Sequence, residues 1–139
     1  MRTIKFRGKR TDTGEWAYGS LLKFDIGYVI TISETTESDD SLDEKNSIVF
    51  SADEVAGVNP GTIGQFTGLL DKSGKEIYEG DIVQCNKDIC KVVYSDHYAG
   101  FALDKQGWAY LHFFGEAFST EDCIVIATIH DNPELLEGG

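Results

Sequence analysis

The sequence predicts an all-β protein with at most short helical turns. Three observations carry this: short β-branched and aromatic runs, Gly, Asn and Asp punctuation between them, and no sustained 3.6-residue apolar period. The stretch around which the chain is organised is Gly64 to Val83, which reads as strand, hairpin, strand, tight turn and strand.

Thr3 to Arg7 alternates polar and apolar, placing Ile4 and Phe6 on one side and the basic residues on a solvated side. After the Asp12-Thr13-Gly14 turn, Trp16 to Phe24 supplies an antiparallel partner, with Gly19 marking a bulge or bend. Asp25-Ile26-Gly27 turns the chain into the β-branched strand Tyr28 to Ser33. Residues 34–46 are rich in Glu, Asp, Ser and Thr and bury too little apolar surface to offset their ordering entropy, so they read as an acidic exposed loop. Their carboxylates lack the register that wraps oxygens around calcium. Ile48 to Phe50 is a short strand, Ser51 to Glu54 has capping-box spacing for one helical turn, and Asn59-Pro60-Gly61 closes a first lobe, 1–61.

In the second lobe, 62–139, Asp71 to Gly74 suits a type I turn followed by a left-handed residue. Glu79-Gly80-Asp81 reverses the chain with Gly80 at positive φ and the Asp81 side chain fixing the turn. Ile82 to Cys85 and Ile89 to Tyr94 form a hairpin around Asn86-Lys87-Asp88, and Phe101 to Asp104 follows a longer turn. Trp108 to Phe114 reads as an aromatic strand, Ile124 to Ile129 as a buried closing strand, and Pro133 as the start of a terminal turn carrying Leu135 and Leu136.

Gly64-Gln-Phe-Thr-Gly68, Asp71-Lys-Ser-Gly-Lys-Glu-Ile-Tyr-Glu-Gly-Asp-Ile-Val83 and Ile129-His-Asp-Asn-Pro-Glu-Leu135, with Ile4 to Arg7 and Tyr18-Gly19, resemble the YopX family of small phage and prophage proteins. The acidic insert after Ser33 and the Ala127-Thr128 pair depart from the family pattern. The resemblance implies a mostly β fold with an SH3-like barrel in the second lobe. It supplies no catalytic or binding residues to carry over.

The length suits one compact domain divided into two small lobes, burying roughly two thirds of its unfolded surface. Asp and Glu outnumber Lys and Arg by 24 to 12, a balance that opposes direct binding to phosphate backbones or anionic lipid. The N-terminus lacks a signal-peptide core and no segment is apolar enough to span a bilayer, which predicts a cytoplasmic protein, in the host cytoplasm if phage-encoded. An odd cysteine count argues against a disulfide framework, so Cys85, Cys90 and Cys123 are expected as reduced core thiols.

No candidate chemistry outweighs a plain packing role. Zinc would need the three cysteines with His97, His112 or His130, whose spacing lacks paired short-range ligands. Asp96-His97 and His130-Asp131 offer fragments of a nucleophilic set, but no nucleophile elbow accompanies them. The loop from Gly64 to Gly68 lacks the lysine and helix of a phosphate cradle. Aromatics from Tyr94 to Phe114 suit a core or a partner surface better than a nucleic-acid platform, because few lysines interleave them.

The expectation is therefore a protein with no enzymatic activity, cofactor or metal, acting by binding another protein or by self-association. Its contact surface would combine Arg2, Lys5 and Arg7 with Trp108, Tyr110, Phe113 and Phe114. The alternative is a nucleic-acid-linked accessory protein, including an acidic DNA mimic; a small enzyme comes third.

Overall fold

Strand pairing in the computed structural model, which describes residues 3–32, 54–114 and 119–137, is antiparallel throughout each of its two units. One unit is Lys5–Ile63; the other is Gly64–Gly139 together with Met1–Ile4.

The first unit holds β1 (Phe6–Lys9), β2 (Trp16–Phe24), β3 (Gly27–Ile32) and β4 (Glu54–Val58). They pair in sequence order, with Lys9 opposite Trp16, Leu22 opposite Val29 and Ile30 opposite Ala56. Ala17, Ile30, Ala56 and Val58 form the buried core, with Phe6, Leu21, Tyr28, Ile32 and Ile63 packed around it. Gly19 is required by close approach: a Cβ there would overlap the Thr31 carbonyl. Asn59 caps a 3-10 turn at Pro60–Thr62 by accepting the Gly61 amide, and Pro60 occupies a position where a missing N–H costs nothing.

Two expectations change here. The first strand begins at Phe6, three residues later than its alternation suggested, because its partners in β2 run from Gly19 back to Trp16. β4 was hidden behind the capping-box reading of Ser51 to Glu54. Ala56 and Gly57 have weak strand propensity, and pairing with β3 overrides it. The expected loop at 34–46, the strand Ile48 to Phe50 and Ser51 to Asp53 lie outside the described residues.

In the second unit, β5 (Gly64–Leu70) pairs with β6 (Glu76–Tyr78), with a register shift between Phe66 and Leu70. The remaining strands are β7 (Asp81–Cys85), β8 (Asp88–Ser95), β9 (Gly100–Asp104), β10 (His112–Phe113) and β11 (Cys123–Thr128). They form a five-stranded sheet in the order β10-β9-β8-β7-β11. Ile77, Val83, Cys85, Cys90, Val92, Leu103 and Cys123 make its buried core.

The turn into β7 follows the sequence reading. Gly80 sits at φ +93°, its N–H donates to the Val92 carbonyl, and its carbonyl accepts the Ile129 amide. The Asp81 carboxylate accepts the Tyr78 amide at 2.7 Å. A short terminal 3-10 turn, Pro133–Leu136, is also as expected.

Three expectations in this unit are corrected. The aromatic strand shrinks to His112–Phe113, because the Trp108 amide donates back to the Lys105 carbonyl and commits that segment to a turn. β11 is half exposed, with Ile124 and Ile126 each 39% accessible, because it is the edge strand next to β7 alone. Cys85 and Cys123 are joined by a disulfide, where three thiols were expected. The register places them directly opposite each other in β7 and β11, a long-range pairing that counting cysteines cannot reveal. Cys90 keeps its thiol, buried in the same core.

Candidate functional site

Paired residues in an antiparallel sheet share a face, so the register of the first unit sorts its side chains. Ala17, Leu21, Ile30, Ala56 and Val58 point to the core. The opposite face carries Lys5, Arg7 and Lys9, then Trp16, Tyr18, Leu22 and Phe24 of β2, then Val29 of β3. Large side chains therefore stand on the outer face of β2, while the small Ala17 and Gly19 alternate with them toward the core.

The outer face has two zones. Along β1 and β2, cations sit over aromatic rings: the Arg7 guanidinium is 4.5 Å and the Lys9 ammonium 5.5 Å from the Trp16 centroid, and Lys5 is 6.0 Å from that of Tyr18. These contacts draw on the negative face of each ring. Toward the β2–β3 turn the face becomes apolar. Leu22 and Phe24 are exposed, Val29 is half-buried opposite Leu22, and Ile26 at the tip is fully exposed.

The second unit carries an aromatic patch. Tyr98, in the turn between β8 and β9, meets Phe113 of β10 edge-on at 5.4 Å and His97 at 4.6 Å. Tyr98 is 67% exposed and follows the exposed Asp96 in the chain, and Tyr110, ahead of β10, is 82% exposed. At the other end of the β8–β9 hairpin, a concavity is lined by Lys87, Ile89, Lys105, Leu135 and Leu136. The Lys105 ammonium donates to Asp88 at 2.8 Å, and this hydrogen bond holds its pKa above the ordinary lysine value.

The expected contact residues separate accordingly. Arg2 lies outside the described residues. Lys5 and Arg7 belong to the first unit, and Arg7 is buried rather than part of a solvated face. Trp108 and Phe114 pack against the core, and the Trp108 ring meets that of His112 at a 59° tilt with centroids 4.1 Å apart. Tyr110 is open to solvent and Phe113 is half-buried. The exposed part of β2 was missed. Its signal was present in the alternation of Trp16, Tyr18, Leu22 and Phe24, but large residues on one side of a strand read as the core side.

Among the described residues no group of three or more His, Cys, Asp or Glu is arranged to hold a metal ion. No helix is long and apolar enough to cross a membrane. Burial pushes the Cys90 thiol up to about 11, with Asp88 adding to the shift, which leaves little thiolate at neutral pH.

No curated protein matches the chain. The crystal structure of protein EF1440 from Enterococcus faecalis is similar to it at 23% sequence identity, with 98% of this chain and 99% of that chain covered and a TM-score of 0.49. The profile of the YopX protein family matches residues 5–137, nearly the whole sequence. The chain belongs to the YopX family.

Proposed function

We propose that this protein is a non-catalytic binding module, acting by presenting the apolar end of its first sheet to another protein. The observation that carries this reading is the β2–β3 hairpin, where Leu22, Phe24 and Ile26 are exposed together with no core of their own. Burying such side chains against a partner yields about 25 cal/mol per Å² of apolar surface, whereas leaving them in water gains nothing. The phage and prophage setting of the resembling family supports a phage-encoded protein working in the host cytoplasm. The order β11-β7-β8-β9-β10, with a 3-10 turn at Thr120–Asp122 before the last strand, supports an SH3-like arrangement of the second unit.

A tagged copy expressed in its host, compared with a Phe24→Ser/Ile26→Ser variant of equal fold and abundance, tests this. The reading requires at least one protein recovered with the former and lost with the latter. Identical recoveries from both would overturn it.

A second reading, contact with single-stranded nucleic acid, draws on the cation and aromatic ladder of Lys5, Lys9, Trp16 and Tyr18. Tryptophan fluorescence titrated with an oligothymidylate tests it; saturable, salt-sensitive quenching would favour it over protein binding.

A further inference from the structure

We infer that two copies of this chain pair edge to edge through β2, joining their first sheets antiparallel about a two-fold axis at Leu22. The inference rests on the binding-module reading and names the partner and the main-chain atoms that meet it.

The ladder between β1 and β2 ends with Phe6 opposite Gly19, and Thr3 to Lys5 belong to no strand. Among the described residues, β2 continues to Phe24 with β3 alone beside it. The Arg10 amide fixes the phase of the pairing, because it donates to the Glu15 carbonyl at 2.9 Å in the register that sets Lys9 opposite Trp16. Main-chain groups of β2 that face β1 therefore recur at every second residue, at Ala17 and Gly19 and then at Leu21 and Lys23. Past Phe6, the N–H and C=O of Leu21 and Lys23 meet no hydrogen-bond partner among the described residues. The edge strand β11 is covered by comparison: its Val125 amide donates to the Asp71 carboxylate, and its Cys123 carbonyl accepts the Lys72 amide.

An open strand edge is satisfied by another extended strand, and this edge complements itself. With the axis at Leu22, Leu21 of each copy falls opposite Lys23 of the other, and each such pair exchanges both main-chain bonds, so every open group is used. The two Leu22 side chains meet at the close, non-hydrogen-bonded position. Each Phe24 lies opposite the other copy's Ser20, so the exposed leucine and phenylalanine of β2 form one apolar row on the outer face. The contact draws on no charge complementarity. Copies of net charge -12 repel, and salt should therefore strengthen the pairing. A two-fold contact is closed, so assembly stops at the dimer.

Sedimentation velocity of the full chain over a range of concentrations tests this. The wild type should pass from monomer to dimer and no further, at lower concentration when salt is high. Lys23→Pro removes an N–H that the monomer leaves open, and proline is tolerated where an edge N–H faces solvent. It should stay monomeric, whereas Lys23→Ala, which keeps the N–H, should dimerise as the wild type does. Amide hydrogen exchange on the wild type decides the matter if circular dichroism shows that Lys23→Pro has unfolded. The Leu21 and Lys23 amides should exchange freely in dilute protein and slow by about ten-fold or more once most of it is dimeric.

A wild type that is monomeric at every concentration and salt would overturn the inference. So would a folded Lys23→Pro that dimerises, a species larger than the dimer, or exchange at Leu21 and Lys23 that ignores concentration. Lys23→Pro keeps Leu22, Phe24 and Ile26. A different protein recovered with the wild type and lost from Phe24→Ser/Ile26→Ser would leave the binding-module reading standing when the edge pairing fails.

Discussion

The Asp71 carboxylate accepts the Val125 amide at 2.9 Å across 54 residues of chain, tying the turn between β5 and β6 to the edge strand β11. Its other oxygen accepts the Ser73 amide, the Ser73 hydroxyl and the Lys75 amide at 2.7–2.9 Å. The adjacent Lys72 amide donates to the Cys123 carbonyl at 2.9 Å. One turn thus satisfies main-chain groups that an edge strand would otherwise offer to a neighbouring chain. Burial alone would raise the Asp71 carboxyl, but the Val125 amide, the Ser73 hydroxyl and the Lys75 and Ser73 amides outweigh it, so the group titrates below the ordinary carboxylate range.

Asp71→Ala removes a buried acceptor from four donors and should cost on the order of 3 kcal/mol, measured by urea unfolding at neutral pH. Because the folded pKa lies below the unfolded one, the stabilisation is complete above the ordinary aspartate pKa and is lost as pH falls through the folded value. The difference between wild type and Asp71→Asn should therefore narrow in strong acid. A gap that is constant from neutral pH to strong acid would show that the carboxylate's charge contributes nothing.

Gly80→Val should destabilise by about 1–3 kcal/mol, since a β-branched residue at φ +93° is strained. The position also has no freedom to relax, because its N–H and carbonyl are bonded to Val92 and Ile129. Gly80→Asn, which tolerates the left-handed region better, should lose less. Equal melting temperatures for all three proteins would contradict the assignment.

Cys85 and Cys123 close a loop of 38 residues, and Cys85→Ala/Cys123→Ala should lower stability by about 2–4 kcal/mol relative to the oxidised protein. Protein purified without reductant and unfolded in the presence of an alkylating reagent should take up one label, at Cys90. Native protein at mildly alkaline pH should take up almost none, because Cys90 is buried and its thiol is pushed up to about 11. Three labels on the unfolded chain would show that the bond does not form.

Local signals made much of the fold legible. β2 was read from Trp16 to Phe24 as it stands, and the Gly80 and Asp81 turn was legible because only glycine suits positive φ there and a short carboxylate reaches the nearby Tyr78 amide. What failed depended on distant pairing. The Cys85–Cys123 bond and the Asp71–Val125 link join positions whose proximity is set by sheet order, and β4 is a strand through its partner β3 rather than through its own residues. For the candidate site, which side chains lie open to solvent was not legible. Arg7 is buried although it sits in a basic alternating run, while Phe24 and Ile26 are exposed although they are apolar.

That inversion of faces gives the last prediction. Ala17 is 2% exposed and lies in the core beside Ile30, while Phe24 on the same strand is 53% exposed. By residue size alone, Ala17→Leu would look like a gain in hydrophobic burial and Phe24→Ser like a loss of core. The register requires the opposite. Ala17→Leu overpacks a filled core and should cost about 1–3 kcal/mol. Phe24→Ser, measured at concentrations where the chain is monomeric, should change stability by only about 0.5 kcal/mol, as for other surface positions. Ile30→Ala serves as the reference core truncation and should cost about 2–5 kcal/mol. If Phe24→Ser instead destabilised the monomer as much as Ile30→Ala, Phe24 would belong to the core, and the hairpin could not be the contact surface assigned to it.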